Sequence, residues 1–343
     1  MLSSFASPQP APVAMPPARP TSYRYWEDYR ADELRAVLDK IALVIEEKRR
    51  QVDLDAGSRQ AVSPASTASG PAPAPPAKNE TLGEILSPSQ ANTFLNCSAK
   101  WWFKYGAGLP DPKGGSLVRG RAVHKTIERW FKLILEGTTP DIEDMRDPYD
   151  DAWEALSADA SFAADDDIDE LKRSGAVLLR KYLEEVAPEI RPAALEQQVI
   201  GEIGGVKIRG YIDIVDVDGT IVDVKTAAKS PSGISSDYAF QLATYRQLLP
   251  AANGKARLDT LVATKTPKLV KIEYEVTEAD QRLTCGLYPR VREGIREGLY
   301  FPNRNSNLCS RKYCNFADAC CKTNSLPRPG RTRCESYAGC RSP

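Results

Sequence analysis

The stretch "ALEQQVIGEIGGVKIRGYIDIVDVDGTIVDVKT", residues 194–226, constrains this chain more than any other. Its apolar residues recur with period two and many are β-branched, which predicts three consecutive strands. The last two form a hairpin around Asp218–Gly219. A two-residue Asp-Gly loop would pair Ile214 with Asp223 and send Asp213 to the opposite face. A three-residue loop, Val217–Asp218–Gly219 with the glycine left-handed, pairs Asp213 with Asp223 and puts Lys225 on their face. Ile214, Val222 and Val224 then share the other, core-facing side, so the apolar partition favours the second register.

Two carboxylates opposed across strands repel each other unless a cation lies between them. Mg²⁺ prefers oxygen ligands and keeps several waters, so two carboxylates with phosphate oxygens suit it. Lys225 beside them could orient or deprotonate a metal-bound water, or neutralise a phosphoryl transition state. A solvated strand face, with Lys225 neutralising Asp223, explains the same spacing equally well. The only histidine, His124, lies on a predicted helix, and "QLATY" sets Gln241 and Tyr245 one helical turn apart. Neither feature is a site on its own.

The remaining pattern surrounds these strands with helices. "SPSQANTFLNC" and "SLVRGRAVHKTIERWFKLIL" read as helices, the second with Val123, Ile127 and Trp130–Phe131 on one face. The acidic segment 141–170, with thirteen acids and one arginine, carries helical patches, and "LKRSGAVLLRKYLEEV" is a stronger helix. After "YAFQLATYRQLL", a helix, come strands "RLDTLVATK" and "LVKIEYEVT" and the helix "EADQRLTCGLYPRVREGIREG". Helices flanking a small mixed sheet define an α/β (α+β) domain over residues 81–322.

Residues 1–80 read as a disordered Pro/Ala-rich arm with one amphipathic helix over about 26–52 that docks on a partner or on the main domain. The first 26 residues lack acids, as mitochondrial transit peptides do, but six prolines in the first twenty favour a disordered arm and a cytoplasmic protein. No apolar run is long enough to cross a membrane, and no G-x-x-x-x-G-K-[ST] loop marks an ATP motor. Basic and acidic residues balance at 46 each, so net charge argues for no partner. The exception is the C-terminal region, where residues 301–343 hold eight basic residues against Asp318 and Glu335; a basic, cysteine-containing tail occupies 323–343.

Eight cysteines in a chain without a secretory signal argue against a disulfide framework and for metal binding or scattered core thiols. Cys309, Cys314, Cys320, Cys321 and Cys334 crowd into one short segment, with Cys340 just beyond. Aromatics in "WWFKY" next to Lys100 and Lys104 offer base stacking, but this is the minor reading beside a core role for Trp101 and Trp102.

The ordered set "GRAVHKTIE", "GYIDIV", "IVDVKT" and "QLATY" resembles the RecB-like branch of the PD-(D/E)XK nuclease superfamily, over roughly residues 85–322. That branch includes the RecB and AddB nuclease domains, exonuclease V and the CRISPR-associated RecB-like exonucleases. The resemblance implies a restriction-endonuclease-like core and a Mg²⁺- or Mn²⁺-dependent deoxyribonuclease, an exonuclease acting on single-stranded or linear DNA in recombination or repair. It implies that His124, Asp213 and Asp223 with the Val224 carbonyl hold the metal. It makes Lys225 the catalytic lysine, Gln241 and Tyr245 the trailing helix motif, and Glu196 an additional strand glutamate. It further implies a [4Fe–4S] cluster on Cys97, Cys309, Cys314 and Cys320, with zinc as the chemical alternative. The family commonly leaves two residues between the first two cysteines of the C-terminal triplet; this chain has four, and Cys321 can replace Cys320. Cys285, Cys334 and Cys340 receive no role. Partners of the implied kind are a recombinase, a helicase or an adaptation-complex protein in a bacterial or phage-infected cell. The same site also serves a structure-specific endonuclease, and a non-catalytic DNA-binding subunit would keep the fold without the chemistry.

Overall fold

Three strands form from residues 192–227, as the alternation requires, in a computed structural model that describes residues 82–306 and 308–324. The arm over 1–80, its helix over about 26–52 and the tail beyond 324 lie outside the described residues. In chain order the core comprises β1 (Ile85–Leu86), α1 (Pro88–Asn96), α2 (Ser98–Trp101), α3 (Gly115–Leu135), α4 (Arg146–Ser157), α5 (Ile168–Glu185), β2 (Pro192–Ile203), β3 (Val206–Asp216), β4 (Ile221–Ala227), α6 (Ser236–Leu248), β5 (Lys255–Val262), β6 (Lys268–Glu275), α7 (Glu278–Arg296) and α8 (Ala317–Thr323). Sequence reasoning missed β1 and α8, because two and seven residues are too few for a period to declare itself.

Local chemistry sets the boundaries. Ser87 caps α1 through its hydroxyl, which accepts from the Gln90 N–H at 3.1 Å, with Pro88 in the first turn. Thr277 and Asp280 form a capping box at the start of α7. The β3–β4 connection is the three-residue loop that the apolar partition favours: the Asp216 N–H donates to the Thr220 carbonyl at 2.9 Å, closing over Val217–Asp218–Gly219. Gly219 has φ +87°, and a Cβ there would meet the Ala251 carbonyl oxygen at 2.5 Å. Only glycine suits both demands.

The sheet is mixed and, among the described residues, six-stranded. β2 pairs antiparallel along one edge of β3 from end to end. The other edge is shared: β1 runs parallel to Lys207 and Ile208, and β4 runs antiparallel to Ile214 and Val215. Beyond Ile214 the two strands of the hairpin separate. β4 then pairs parallel with β5, and β5 antiparallel with β6. Helices cover both faces. Val118, Val123, Ile127 and Phe131 of α3 pack with Leu178, Tyr182 and Leu183 of α5 against Ile214, Val222 and Val224. On the opposite face Leu242, Ala243 and Tyr245 of α6 pack against Ile212, Val215 and Ile221. Ile221 to Val224 are therefore buried without alternation, as a strand covered on both faces must be.

Candidate active site

The hairpin fork, where β3 leaves β4, gathers the charged residues. Lys225 Nζ lies 2.6 Å from Asp223 Oδ2 and 3.8 Å from Asp213 Oδ2. The side chain of Asp213 takes the place of a ladder partner, its Oδ2 accepting the Val224 N–H at 2.9 Å. From α3, His124 brings Nε2 to 3.1 Å from the same oxygen. From α6, on the other face, the Gln241 amide donates to Asp223 Oδ1 at 2.8 Å and to the Tyr245 hydroxyl at 3.2 Å. The Val224 carbonyl accepts from Lys225 Nζ at 3.4 Å. So the structure brings His124, Asp213, Asp223, Val224, Lys225, Gln241 and Tyr245 into one group.

Burial makes this group electrostatically tense. Asp223 is 2% exposed; loss of solvation outweighs Lys225 and, with help from Asp213, pushes its carboxyl up to about 6. Burial would raise Asp213 too, but Lys225, His124 and the Val224 N–H together hold it below the usual carboxylate range. Desolvation opposes the charge on Lys225 and His124, yet the neighbouring carboxylates outweigh it and raise both. One ammonium thus serves two carboxylates and cannot satisfy both. An imidazole nitrogen and carboxylate oxygens facing one space form a donor set that fits a divalent cation. His124, Glu196 and Asp213 each offer a ligand atom within 4.8 Å of the others. Asp223 lies deeper, bound to Lys225 and Gln241.

Two neighbours escaped sequence reasoning. Tyr238, three residues before Gln241 on α6, holds its ring 6.0 Å from Lys225 Nζ; the helical spacing alone could have nominated it. Gly210 of "GYID" matters through what it leaves free. A Cβ there would stand 2.7 Å from Cε1 of Tyr245 and 3.5 Å from a Val199 methyl. Tyr245 is buried and tied to Gln241, so it cannot step aside. Gly210→Ala is expected to cost about 1–3 kcal/mol of stability by overpacking and to weaken the Gln241–Asp223 contact, which urea unfolding and activity measured on the same preparation will show.

A second group lies at the end of the sheet where α1 meets the C-terminal segment. Cys97, Cys309, Cys314, Cys320 and Cys321 line a cavity of about 400 Å³ together with Lys100, Phe103 and Gln241. Burial first and then its sulfur neighbours push Cys320 up to about 11, and Cys309 and Cys314 are raised as well, by burial first. Thiols held protonated in this way ionise when a metal takes the sulfur. Cys285 stands apart, exposed, donating to Gln247, and Cys334 and Cys340 lie outside the described residues. Trp101 and Trp102 take the core role that the sequence favours over base stacking: they are 2% and 6% exposed and pack around Tyr300. Lys104 is spent on Asp111 at 2.7 Å.

A mixed sheet with helices on both faces, carrying this group at its fork, is a restriction-endonuclease-like core. The model of the PD-(D/E)XK nuclease superfamily matches residues 85–321, and the chain belongs to that superfamily. Among solved structures, the chain is similar to a Eubacterium rectale protein whose name proposes an exonuclease, at 15% identity and a TM-score of 0.48, over 73% of this chain and 92% of that one. It is also similar to the protein SSO0001, at 15% identity and a TM-score of 0.29, over 66% of this chain and 95% of that one. No curated protein matches the chain.

Proposed function

We propose that this nuclease is a RecB-like exonuclease that hydrolyses phosphodiester bonds of single-stranded or linear DNA with Mg²⁺ or Mn²⁺, in recombination or repair. The observation that carries the reading is the convergence of Asp213, Asp223 and Lys225 with His124 at the β3–β4 fork. His124, Asp213, Asp223 and the Val224 carbonyl would hold the cation, which when bound polarises the scissile phosphate and lowers the pKa of its water. Lys225, kept protonated by the two carboxylates, neutralises charge developing on the phosphate. Gln241 holds Asp223 in place, and Tyr245 holds Gln241.

Cys97, Cys309, Cys314 and Cys320 would carry a [4Fe–4S] cluster that ties α1 to the C-terminal segment. Its support is the family resemblance and the shared cavity of their thiols. Cys321 also lines the cavity, so Cys320→Ala with the cluster retained would move that ligand by one residue. Among the described residues no helix is long and apolar enough to cross a membrane. A helicase or recombinase partner would supply the unwound end.

The test is anaerobic purification followed by digestion of end-labelled linear DNA and covalently closed circular DNA, with and without Mg²⁺ or Mn²⁺. Cation-dependent loss of the linear substrate alone is expected, from a brown protein. Equal cutting of the closed circle would establish the endonuclease instead. A colourless protein with stoichiometric zinc would remove the cluster.

A further inference from the structure

Glu196 is the residue whose backbone the sheet explains least. Among the described residues it is the one non-glycine with positive φ, at 45°, in the middle of β2. L-residues adopt that region at a cost, and such strain gathers at functional sites. The pairing register is the same on either side, with Leu195 opposite Ile214 and Gln197 opposite Ile212. Glu196 therefore stands across from Asp213.

The packing changes side at this step. Val199 and Ile212 join the cluster beneath α6, whereas Leu195 and Ile214 join the cluster beneath α3 and α5. A regular pleat would leave Ile212 and Ile214 on one face, so both strands turn over at Glu196 and Asp213. The result is that two carboxylates flank one imidazole. Asp213 Oδ2 is 3.1 Å from Nε2 of His124, and Glu196 Oε1 is 3.7 Å from Nδ1.

We propose that Glu196 is a positioning residue, whose carboxylate takes the Nδ1–H of His124 and so fixes the tautomer that turns an unprotonated Nε2 toward the cation-binding oxygen of Asp213. Histidines that ligate metals almost always donate their second ring N–H to a carboxylate or carbonyl, and losing that partner lowers metal affinity or activity by about 10- to 100-fold. The 3.7 Å separation is longer than a formed hydrogen bond, and contacts of this kind tighten when a site is loaded. The left-handed backbone is what aims the carboxylate. It is retained despite its strain because a relaxed strand would direct residue 196 elsewhere. The inference rests on the nuclease reading for the cation but concerns only the ring.

His124 is the sole histidine of the chain, so ¹⁵N-histidine NMR reports its tautomer without assignment. We expect the Mg²⁺-loaded wild type to show Nδ1 protonated and Nε2 bare. Glu196→Gly relieves the strain, so its melting temperature should equal or exceed that of the wild type. It should nevertheless lose the tautomer and bind Mg²⁺ about 10- to 100-fold more weakly in calorimetric titration. Glu196→Gln, whose amide oxygen still accepts the N–H, should keep the tautomer and most of the affinity. An unchanged tautomer and affinity in Glu196→Gly overturns the proposal. Equal loss in the glycine and glutamine variants, with the tautomer kept, would also overturn it and make Glu196 a direct ligand. Wild-type protein that neither binds Mg²⁺ nor cuts DNA would instead sink the nuclease reading beneath it.

Discussion

Asp223→Asn is expected to reduce DNA cleavage by about 10³-fold or more, the scale set by losing several kcal/mol of transition-state stabilisation. Asparagine fills the same volume and can still meet Gln241, which now donates to Asp223 Oδ1, so the fold should survive. What disappears is a buried negative charge that Lys225 contacts at 2.6 Å. Cation binding should weaken with it, visible as loss of the Mg²⁺-induced rise in melting temperature. The pH dependence gives a second signature. The Asp223 carboxyl sits at about 6 in the folded protein, above its usual value near 3.9. The stability that this raised value contributes is fully present below about 4 and is lost as pH rises through about 6. Cation-free wild type should therefore lose melting temperature across that window, and Asp223→Asn should flatten that contribution. A variant that digests linear DNA at the wild-type rate would end the catalytic reading of the fork.

The largest effect on stability is expected at Asp259, away from any assigned chemistry. Its carboxylate is 2% exposed, accepts from Arg257 Nη2 at 2.8 Å and from the Tyr182 hydroxyl at 3.2 Å, and faces Arg257 Nε at 2.8 Å. Asp259→Ala strands the Tyr182 phenol between β5 and α5 and leaves the half-buried Arg257 guanidinium to Glu189, 3.6 Å away. Breaking a buried pair on one side costs about 3–5 kcal/mol, a large part of the 5–15 kcal/mol typical of a whole domain. Replacing both partners, as Arg257→Met with Asp259→Leu, should recover most of the loss, because neither charge is then left alone. Urea unfolding of the single and double variants checks this. A single variant within about 0.5 kcal/mol of wild type, the range of ordinary surface changes, would show the pair to be solvated.

The two effects differ in how far the sequence announces them. The hairpin was legible down to its loop length, because putting Ile214, Val222 and Val224 on one side permits only one register. Helices α3, α5, α6 and α7 were legible from their periodicity, and Ser87 and Asp218–Gly219 from turn and cap chemistry. The pairing of Asp259 with Arg257 was not, since nothing in "RLDTLVATK" separates a buried pair from a solvated strand face, and only α5 packing over β5 buries Asp259. Base stacking by Trp101 and Trp102 was the minor reading but stayed open for the same reason: an aromatic beside a lysine can meet a base or a core.

Local pattern in the sequence determined the strands and the register that sets Asp213 opposite Asp223, because alternation and turn geometry act over a few residues. Only the tertiary structure decided that His124 reaches Asp213 from one layer and Gln241 reaches Asp223 from the other. It also decided that Asp223 is dry enough to resist ionisation, and that β2 and β3 turn over at Glu196. Those outcomes depend on how β3 divides its edge between β1 and β4 and on which helices close over the gap. Such contacts join residues 18 positions apart for Gln241 and Asp223, 89 for His124 and Asp213 and 122 for Ile85 and Lys207, and no local period encodes them.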